Sequence, residues 1–376
     1  MNHDHEVDPD VVEKVEAEYT DAASPALRST PDGQWPSTSG FSWTDPDNTV
    51  SAATAERIRQ AAPESTRRAY TGDWARFTGW CAHTGRTALP ATPATLAEYA
   101  AHLADGGKAP STIERALAAI ARSHRFAGAP VPDRTGATEV LRTHRRERAA
   151  DPDPARRTRQ ATPLLVEDLR AMVAVLDPAT AAGLRDRAVL LLAFALAGRR
   201  SEVAALDLAD VQDIPGRGLE VLVRTSKTDR DSAGRAVRIR PGRHRPTCPV
   251  LAVSAWRAHL AAIGHTTGPL FCRVDRHGNV GLAASGRSTP DGRITGQTVA
   301  DIIRRCATAA GLAVPGTRYS GHSARRGLVT SARQAGKDIG RIGRHGGWVD
   351  GSSVVWSYVE DVDAWGEDNP TDGIGL

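Results

Sequence analysis

Residues 318–327 read Arg-Tyr-Ser-Gly-His-Ser-Ala-Arg-Arg-Gly, and the pattern of apolar residues around them predicts that this stretch opens a helix. His322 and Arg325 are three residues apart, so a helix places both side chains on one face. An imidazole, a permanent cation and a helix N-terminus together favour a phosphate site. Two fixed residues recur by chance in many chains, so this interpretation depends on agreement with other parts of the sequence.

A second cluster, residues 198–202 (Gly-Arg-Arg-Ser-Glu), comes at the end of the longest apolar run of the chain, residues 188–198. Guanidinium groups next to a buried helix are costly unless they meet an anion or a carboxylate. Glu202 follows Arg199 by three residues, so the two can pair on one helix face. A salt bridge at a helix end explains this cluster as well as an anion site does.

A third cluster, residues 344–348 (Arg-His-Gly-Gly-Trp), is followed by the apolar segment 354–359, which contains Tyr358. A tyrosine among apolar neighbours is usually a packing residue with a hydrogen-bonded hydroxyl. Taken alone, this segment therefore predicts only that Tyr358 is a core residue.

The charge of the chain is divided unevenly. Residues 1–49 contain eleven acidic and two basic groups, a net charge of −9, which leaves +13 on the rest of the 376 residues. A basic body attracts polyanions, of which nucleic acid is the commonest. The acidic segment is rich in Pro, Ser, Thr and Gly and is expected to be disordered.

The four cysteines, Cys81, Cys248, Cys272 and Cys306, are far apart and form no C-x-x-C or Cys/His pattern. We therefore expect neither disulfides nor a zinc site, and no metal elsewhere. The run 188–198 is shorter than the about 20 residues that span a membrane. The sequence predicts a soluble, cytoplasmic protein without a membrane partner.

Length and periodicity predict two domains and a mainly α fold with a small β-sheet or hairpin. In the helical domain we expect Ser65-Thr66 to cap the first helix, Thr92 or Thr95 the second and Ser111 the third. In the second domain, strands are expected at 219–224 and 236–239 and a loop at 272–296. The predicted boundaries are a tail at 1–49, a helical domain at 50–149, a basic linker at 150–161 and a second domain at 162–376.

Together, the clusters occur in an order that resembles the tyrosine recombinase (phage integrase) family. That order is R-x-S-E, a lysine in T-S-K-T-D, H-x-x-R, G-G-W and then a tyrosine about ten residues later. The N-terminal segments S-T-x-R-x-Y and S-T-I-E-R-A-L resemble the family's helical, SAM-like core-binding domain. The resemblance covers about residues 50–376 and implies that the second domain is the catalytic one.

The resemblance implies a DNA-cutting and DNA-joining enzyme that needs no cofactor. Tyr358 would attack the scissile phosphate and form a 3′-phosphotyrosyl bond. The phosphate would be held by Arg199 and Arg325, with Trp348 packing the site and contacting the phosphate. His322 would exchange a proton with Tyr358, whereas Glu202 and His345 would support these groups.

Lys227 would protonate the leaving 5′ oxygen. The chain has four lysines and 44 arginines, so a lysine at the tip of the predicted hairpin suggests a group that must release a proton. A guanidinium cannot do this near neutral pH.

The implied partner is double-stranded DNA carrying specific recombination sites, bound by a homotetramer in the nucleoid with accessory DNA-bending or directionality factors. The residues expected to contact DNA are Arg67, Arg68, Lys108, Thr112, Arg115, Arg145, Arg146, Arg156 and Arg157.

Four other classes of DNA-acting protein compete with this function. A type IB topoisomerase uses similar residues and would relax DNA as a monomer, and a DNA-binding remnant would lack catalysis. A DDE transposase needs a carboxylate trio with magnesium, which does not accompany the basic clusters. A serine recombinase needs an N-terminal catalytic serine, where this chain has its acidic segment.

Overall fold

The computed structural model describes residues 51, 53–54, 57–58, 61–151, 160–224, 234–282 and 289–363. The chain divides into two units, residues 1–158 and 159–376. The first unit contains helices α1 (Glu64–Thr84), α2 (Pro93–Asp105), α3 (Pro110–Phe126) and α4 (Thr135–Ala150).

Two of the predicted helix caps are wrong. Helix α1 begins at Glu64 after Pro63, so Ser65-Thr66 lies inside its first turn. Helix α3 begins at Pro110, which leaves Ser111 as its second residue. Proline suits the first helical position because its fixed φ is helical and no N–H is lost. The Thr92 cap of α2 is confirmed, since its side chain accepts a hydrogen bond from the Thr95 N–H at 3.1 Å.

The core of the first unit consists of apolar side chains from α1, α2, α3 and α4. A charged pair is buried beside them. Arg115 donates to both carboxylate oxygens of Asp73, at 2.6 and 3.2 Å, and its side chain is only 10% exposed. The expectation that Arg115 contacts DNA is therefore wrong. Its guanidinium neutralises a carboxylate that lies 42 positions earlier in the chain and is itself buried.

The second unit surrounds a larger apolar core. Its helices are α5 (Val166–Ala174), α6 (Ala181–Leu196), α7 (Arg200–Ala205), α8 (Pro249–Ala262), α9 (Gly296–Ala309), α10 (Gly321–Gln334), α11 (Ile339–Gly346) and α12 (Ser353–Asp363). Its strands are β1 (Val211–Ile214), β2 (Gly218–Val223), β3 (Arg235–Ile239), β4 (Arg273–Val274) and β5 (Val280–Gly281).

Strands β1, β2 and β3 form an antiparallel sheet in that order. Val211, Val221 and Val237 are aligned across it and are buried, so one face of the sheet covers the core. On the opposite face, Arg238 donates to Glu220 at 2.7 Å. The sequence predicted β2 and β3 but not β1, and the small β4–β5 hairpin lies in the segment that was expected to be a loop.

Helix α6 is the buried centre of this unit, and α8 and α10 pack against it. It begins at Ala181, where the Thr180 side chain caps it by accepting from the Gly183 N–H at 3.1 Å. Its last residue is Leu196, and the capping residue after it, Ala197, has a left-handed φ of 47°. A separate apolar cluster joins Ala197 to α10, α11 and α12.

No helix of the described residues is long and apolar enough to cross a membrane. All four cysteines are buried free thiols.

Candidate active site

Arg199 and Glu202 form the first part of the site, at the start of α7. Arg199 precedes the helix, and both its backbone N–H and its Nη1 donate to the Glu202 carboxylate, at 3.1 and 2.8 Å. The predicted pairing of these two residues is confirmed. Arg200 points elsewhere: its side chain is exposed and donates to Gln297 at 3.2 Å. Only the first of the two arginines therefore faces the buried carboxylate.

Arg235, at the start of β3, is a site residue that the sequence analysis missed. Its Nη2 donates to Glu202 at 3.2 Å, and its Nη1 donates to the carbonyl of His345 at 2.6 Å. Its side chain is 16% exposed. Arg235 therefore joins the carboxylate that holds Arg199 to the end of α11.

Glu202 stays ionised although it is buried. Burial raises the pKa of its carboxyl, but the charges and hydrogen bonds of Arg199 and Arg235 outweigh burial and hold the pKa below its ordinary value. A fixed negative charge therefore orders two guanidinium groups at neutral pH.

Arg325 lies at the centre of the site on α10, and it is 3% exposed. Its Nη1 donates to the carbonyls of Ala197 and Gly346, the latter at 2.9 Å. Its guanidinium carbon lies 3.4 Å from the ring centroid of Trp348. Its buried Nη2 has no hydrogen-bond partner among the described residues.

The charge on Arg325 is destabilised by its surroundings. Burial, followed by repulsion from Arg199, lowers the pKa of Arg325 to about 9, and the opposing effects of Glu202 and Tyr358 are smaller. The group is still a cation at neutral pH. A donor that is buried, charged and only partly satisfied favours an anionic ligand. Such a ligand would offset the cost of burying the charge and the cost of leaving a buried N–H without an acceptor.

The two glycines before Trp348 permit its position. A Cβ on Gly346 would lie 1.8 Å from Cζ3 of the Trp348 ring. Gly347 ends α11 with a φ of 72°, in the left-handed region that favours glycine. The G-G-W sequence thus lets the chain reverse and place the indole against Arg325.

Tyr358 extends from α12 into the same cluster and is half-buried. Its ring meets that of Trp348 edge to face, with centroids 6.2 Å apart. Arg325, Trp348 and Tyr358 therefore form one continuous group, although they come from three different elements.

The two histidines occupy different positions. His322 is half-buried in the first turn of α10, which Ser320 caps by accepting from the His322 backbone N–H at 3.2 Å. His345 lies beside the cluster, where its Nε2 donates to the carbonyl of Ala195 at 2.7 Å. The hydrogen bond from His345 to Ala195 fastens α11 to the end of α6, so His345 supports the position of Trp348.

Lys227 falls outside the described residues, as do Arg156 and Arg157. Of the other predicted DNA contacts, Arg68 and Arg145 are exposed and pair with Glu64 and Glu114, respectively. Arg146 is exposed, and the side chains of Arg67, Lys108 and Thr112 are half-buried.

Arg235 could have been found from strand periodicity. Side chains alternate between the two faces of a strand, so Arg235 belongs to the same face as the buried Val237 and Ile239. An arginine on the apolar face of a strand requires a buried anion.

Comparisons with known proteins identify the family of the chain. A model of the phage integrase family matches residues 164–364, and a model of its N-terminal SAM-like domain matches residues 57–129. The XerD homolog of Selenomonas ruminantium, an integrase/recombinase, is 31% identical over 318 residues, which cover 83% of this chain and 86% of that protein. The recombinase Cre of Escherichia phage P1 is 25% identical over 312 residues, 82% of this chain and 87% of that protein.

Solved structures with the same fold include the following two. The crystal structure of a lambda integrase dimer bound to a core site has a TM-score of 0.52 at 12% identity and covers 83% of this chain and 96% of that one. The post-cleavage complex of the XerH recombinase with its difH substrate has a TM-score of 0.52 at 13% identity and covers 86% of each chain. The family model spans more than half of the chain and the relatives cover most of it, so the chain belongs to the phage integrase family, the tyrosine recombinases, enzymes of site-specific DNA recombination.

Proposed function

We propose that Tyr358 is the nucleophile that cuts DNA in this site and that Arg199 and Arg325 hold the scissile phosphate. The observation that carries the proposal is that the buried Nη2 of Arg325, close to Arg199 and Tyr358, has no hydrogen-bond partner in the part of the chain that the structure describes. A phosphodiester supplies the missing acceptor and the missing negative charge together. Guanidinium donors match the non-bridging oxygens of a phosphate as charge develops on them.

The reaction exchanges one ester bond for another. The Tyr358 hydroxyl oxygen bonds to phosphorus and releases its proton to His322, while the bond from phosphorus to the 5′ oxygen breaks. The product is a 3′-phosphotyrosyl link, and Lys227 gives a proton to the departing 5′ oxygen, which leaves as a 5′ hydroxyl. Attack by a 5′ hydroxyl of another strand reverses these steps and rejoins the DNA through a Holliday junction. The indole ring of Trp348 packs against the guanidinium of Arg325, and its ring N–H contacts the phosphate.

The nucleophile is tested with a suicide substrate that traps the covalent adduct. Tyr358→Phe removes only the hydroxyl, so we expect unchanged DNA binding and no adduct. Tyr319→Phe is the matched control. Tyr319 is a buried core residue, and burial raises the pKa of its hydroxyl above the ordinary value. An adduct formed by Tyr358→Phe would show that another residue attacks.

The role of Lys227 is tested with a substrate whose bridging 5′ oxygen is replaced by sulfur. A thiolate leaves without a proton, so Lys227→Ala should cleave this substrate well and the natural one slowly. Equal slowing on both substrates would mean that Lys227 serves only as a phosphate contact.

We further propose that residues 50–149 bind DNA as a separate helical domain connected through residues 150–161 to the catalytic domain at 162–376. Exposed basic side chains on α1 and α4 support this, among them Arg68 and Arg146. Recombination cuts four strands, so four protomers would assemble head to tail in a ring on two specific sites in the nucleoid, with accessory factors setting direction.

A plasmid assay separates recombination from topoisomerase activity. With paired sites, the recombinase should produce Holliday junctions and exchanged products. Relaxation of a plasmid that lacks any site, at the same rate as one that carries it, would favour a topoisomerase.

A further inference from the structure

The segment that enters the second unit lies along the start of α10. The Thr162 N–H donates to the carbonyl of Arg318 at 2.8 Å, and the Leu164 N–H donates to the carbonyl of Ser323 at 2.9 Å. The Thr162 hydroxyl in turn accepts from the Arg318 N–H at 2.8 Å. Residues 161–164 are thus attached to the helix that contains His322 and Arg325.

Gly327 makes this attachment close. A Cβ at Gly327 would lie 1.9 Å from the carbonyl oxygen of Leu164, a distance that no side chain allows. The segment and the helix therefore touch backbone to backbone, one residue beyond Arg326.

Arg326 spans the distance from this segment to the proposed nucleophile. Its Nη1 donates to the carbonyl of Ala161 at 2.7 Å, and its guanidinium carbon lies 5.0 Å from the ring centroid of Tyr358. A guanidinium at that distance from an aromatic face attracts the ring. Arg326 is only 6% exposed, so in this arrangement it binds the tyrosine ring and the chain entering the unit rather than solvent.

We propose that Arg326 is a positioning residue that fixes the Tyr358 ring to residues 161–164, so that the placement of the entering segment sets the placement of the tyrosine hydroxyl. This rests on the proposed function, because it takes Tyr358 as the nucleophile. The neighbouring arginines divide the work: Arg325 faces the phosphate, and Arg326 faces the group that attacks it.

The test measures single-turnover cleavage of a suicide substrate by the full-length protein, together with the protein concentration that half-saturates the DNA. Arg326→Met removes the hydrogen bond to the Ala161 carbonyl and the cation at the Tyr358 ring. We expect cleavage at saturation to slow by about tenfold with unchanged half-saturation. Arg326→Lys should restore part of the rate, since it keeps the cation. Arg341→Met is the matched control, because it removes one exposed arginine from α11. Equal rates for the Met variants at 326 and 341, or a loss confined to DNA affinity, would overturn the proposal.

Arg326→Gln keeps a donor for the Ala161 carbonyl without the charge, and it serves if the Met variant fails to fold. Its cleavage should stay slow, and a wild-type rate would contradict the role of the cation at the ring.

A double mutant tests the connection to the entering segment. Thr162→Val removes the acceptor for the Arg318 N–H, so it should slow cleavage about threefold through misplacement of the tyrosine. In the Arg326→Met background the same change should have no further effect, because the connection is already broken. Equal slowing in both backgrounds would refute the coupling.

Tyr358→Phe on the same substrate distinguishes a failure of the proposed function from a failure of the role of Arg326. An adduct in that variant would overturn the proposed function. No adduct there, with full-rate cleavage by Arg326→Met, would overturn only the role of Arg326.

Discussion

Replacing Arg235 with methionine should damage both the stability of the second unit and its chemistry. The change removes two hydrogen bonds, one to the Glu202 carboxylate and one to the His345 carbonyl. Hydrogen bonds that involve a charged group contribute about 1.5–3 kcal/mol each, and losing one member of a buried ionic network costs about 3–5 kcal/mol. Glu202 keeps Arg199 and methionine fills the space, so we expect the free energy of unfolding to fall by about 3 kcal/mol.

Cleavage should slow more than the loss of stability explains. Arg199 is held by Glu202, and Arg235 fixes the second oxygen of that carboxylate, so its loss lets the phosphate-binding guanidinium move. A misplacement of about 1 Å in a catalytic site can reduce the rate by about 100-fold. We expect a decrease of about 10-fold to 100-fold in single-turnover cleavage under conditions where the variant is folded.

Arg238→Met is the matched control for this prediction. Arg238 lies on the same strand, but its side chain is 81% exposed and pairs with Glu220 on the outer face. An exposed ion pair contributes little, so the control should lose less than about 0.5 kcal/mol and cleave normally. Denaturant unfolding monitored by tryptophan fluorescence gives the stability. If the two variants lost equal stability and cleaved alike, the assignment of Arg235 to the site would be refuted.

Three further predictions concern acid, salt and thiols. The folded-state pKa of Glu202 lies below its ordinary 4.5, so its ion pairs stabilise the protein above pH 4.5 and are lost as pH falls through the folded pKa. The difference in unfolding free energy between wild type and Glu202→Gln should therefore shrink between pH 7 and pH 3. A difference that stayed constant would contradict the ionised state of Glu202. DNA affinity should fall with salt with a log–log slope of about −0.9 for each phosphate contacted, and titrations between 50 and 200 mM salt that gave a flat line would argue against phosphate contacts. Burial raises the pKa of both Cys272 and Cys306 to about 11. At pH 8 these thiols should therefore react with a thiol reagent much more slowly in the folded protein than in the unfolded one. Equal reaction rates in the two states would show that the thiols are accessible.

The pairing of Arg199 with Glu202 was predictable because it is local. A spacing of three residues fixes the geometry once a helix start is assumed, and the structure has that geometry. The same holds for β2 and β3, whose alternation of side chains can be read directly from the sequence.

The contacts that the sequence did not predict join residues that are distant in the chain. Arg115 lies 42 positions after Asp73, and Arg235 lies 33 after Glu202 and 110 before His345. Composition gives the sign of such charges but not their partners, so an arginine that neutralises a buried carboxylate looks like one that binds a phosphate. The helix caps failed for a different reason: a proline at the start of a helix competes with the neighbouring hydroxyls for the same role.

The anchoring of Arg325 has a consequence for how this protein tolerates mutation. Its Nη1 is held by the carbonyls of Ala197 and Gly346, groups that every residue type carries. Arg199, in contrast, depends on the side chain of Glu202, which a single codon change can remove. Libraries that diversify this site for new DNA targets should therefore recover few changes at position 202. At position 197, which is fully buried and has a left-handed backbone, they should recover glycine, because the hold on Arg325 there is a backbone carbonyl.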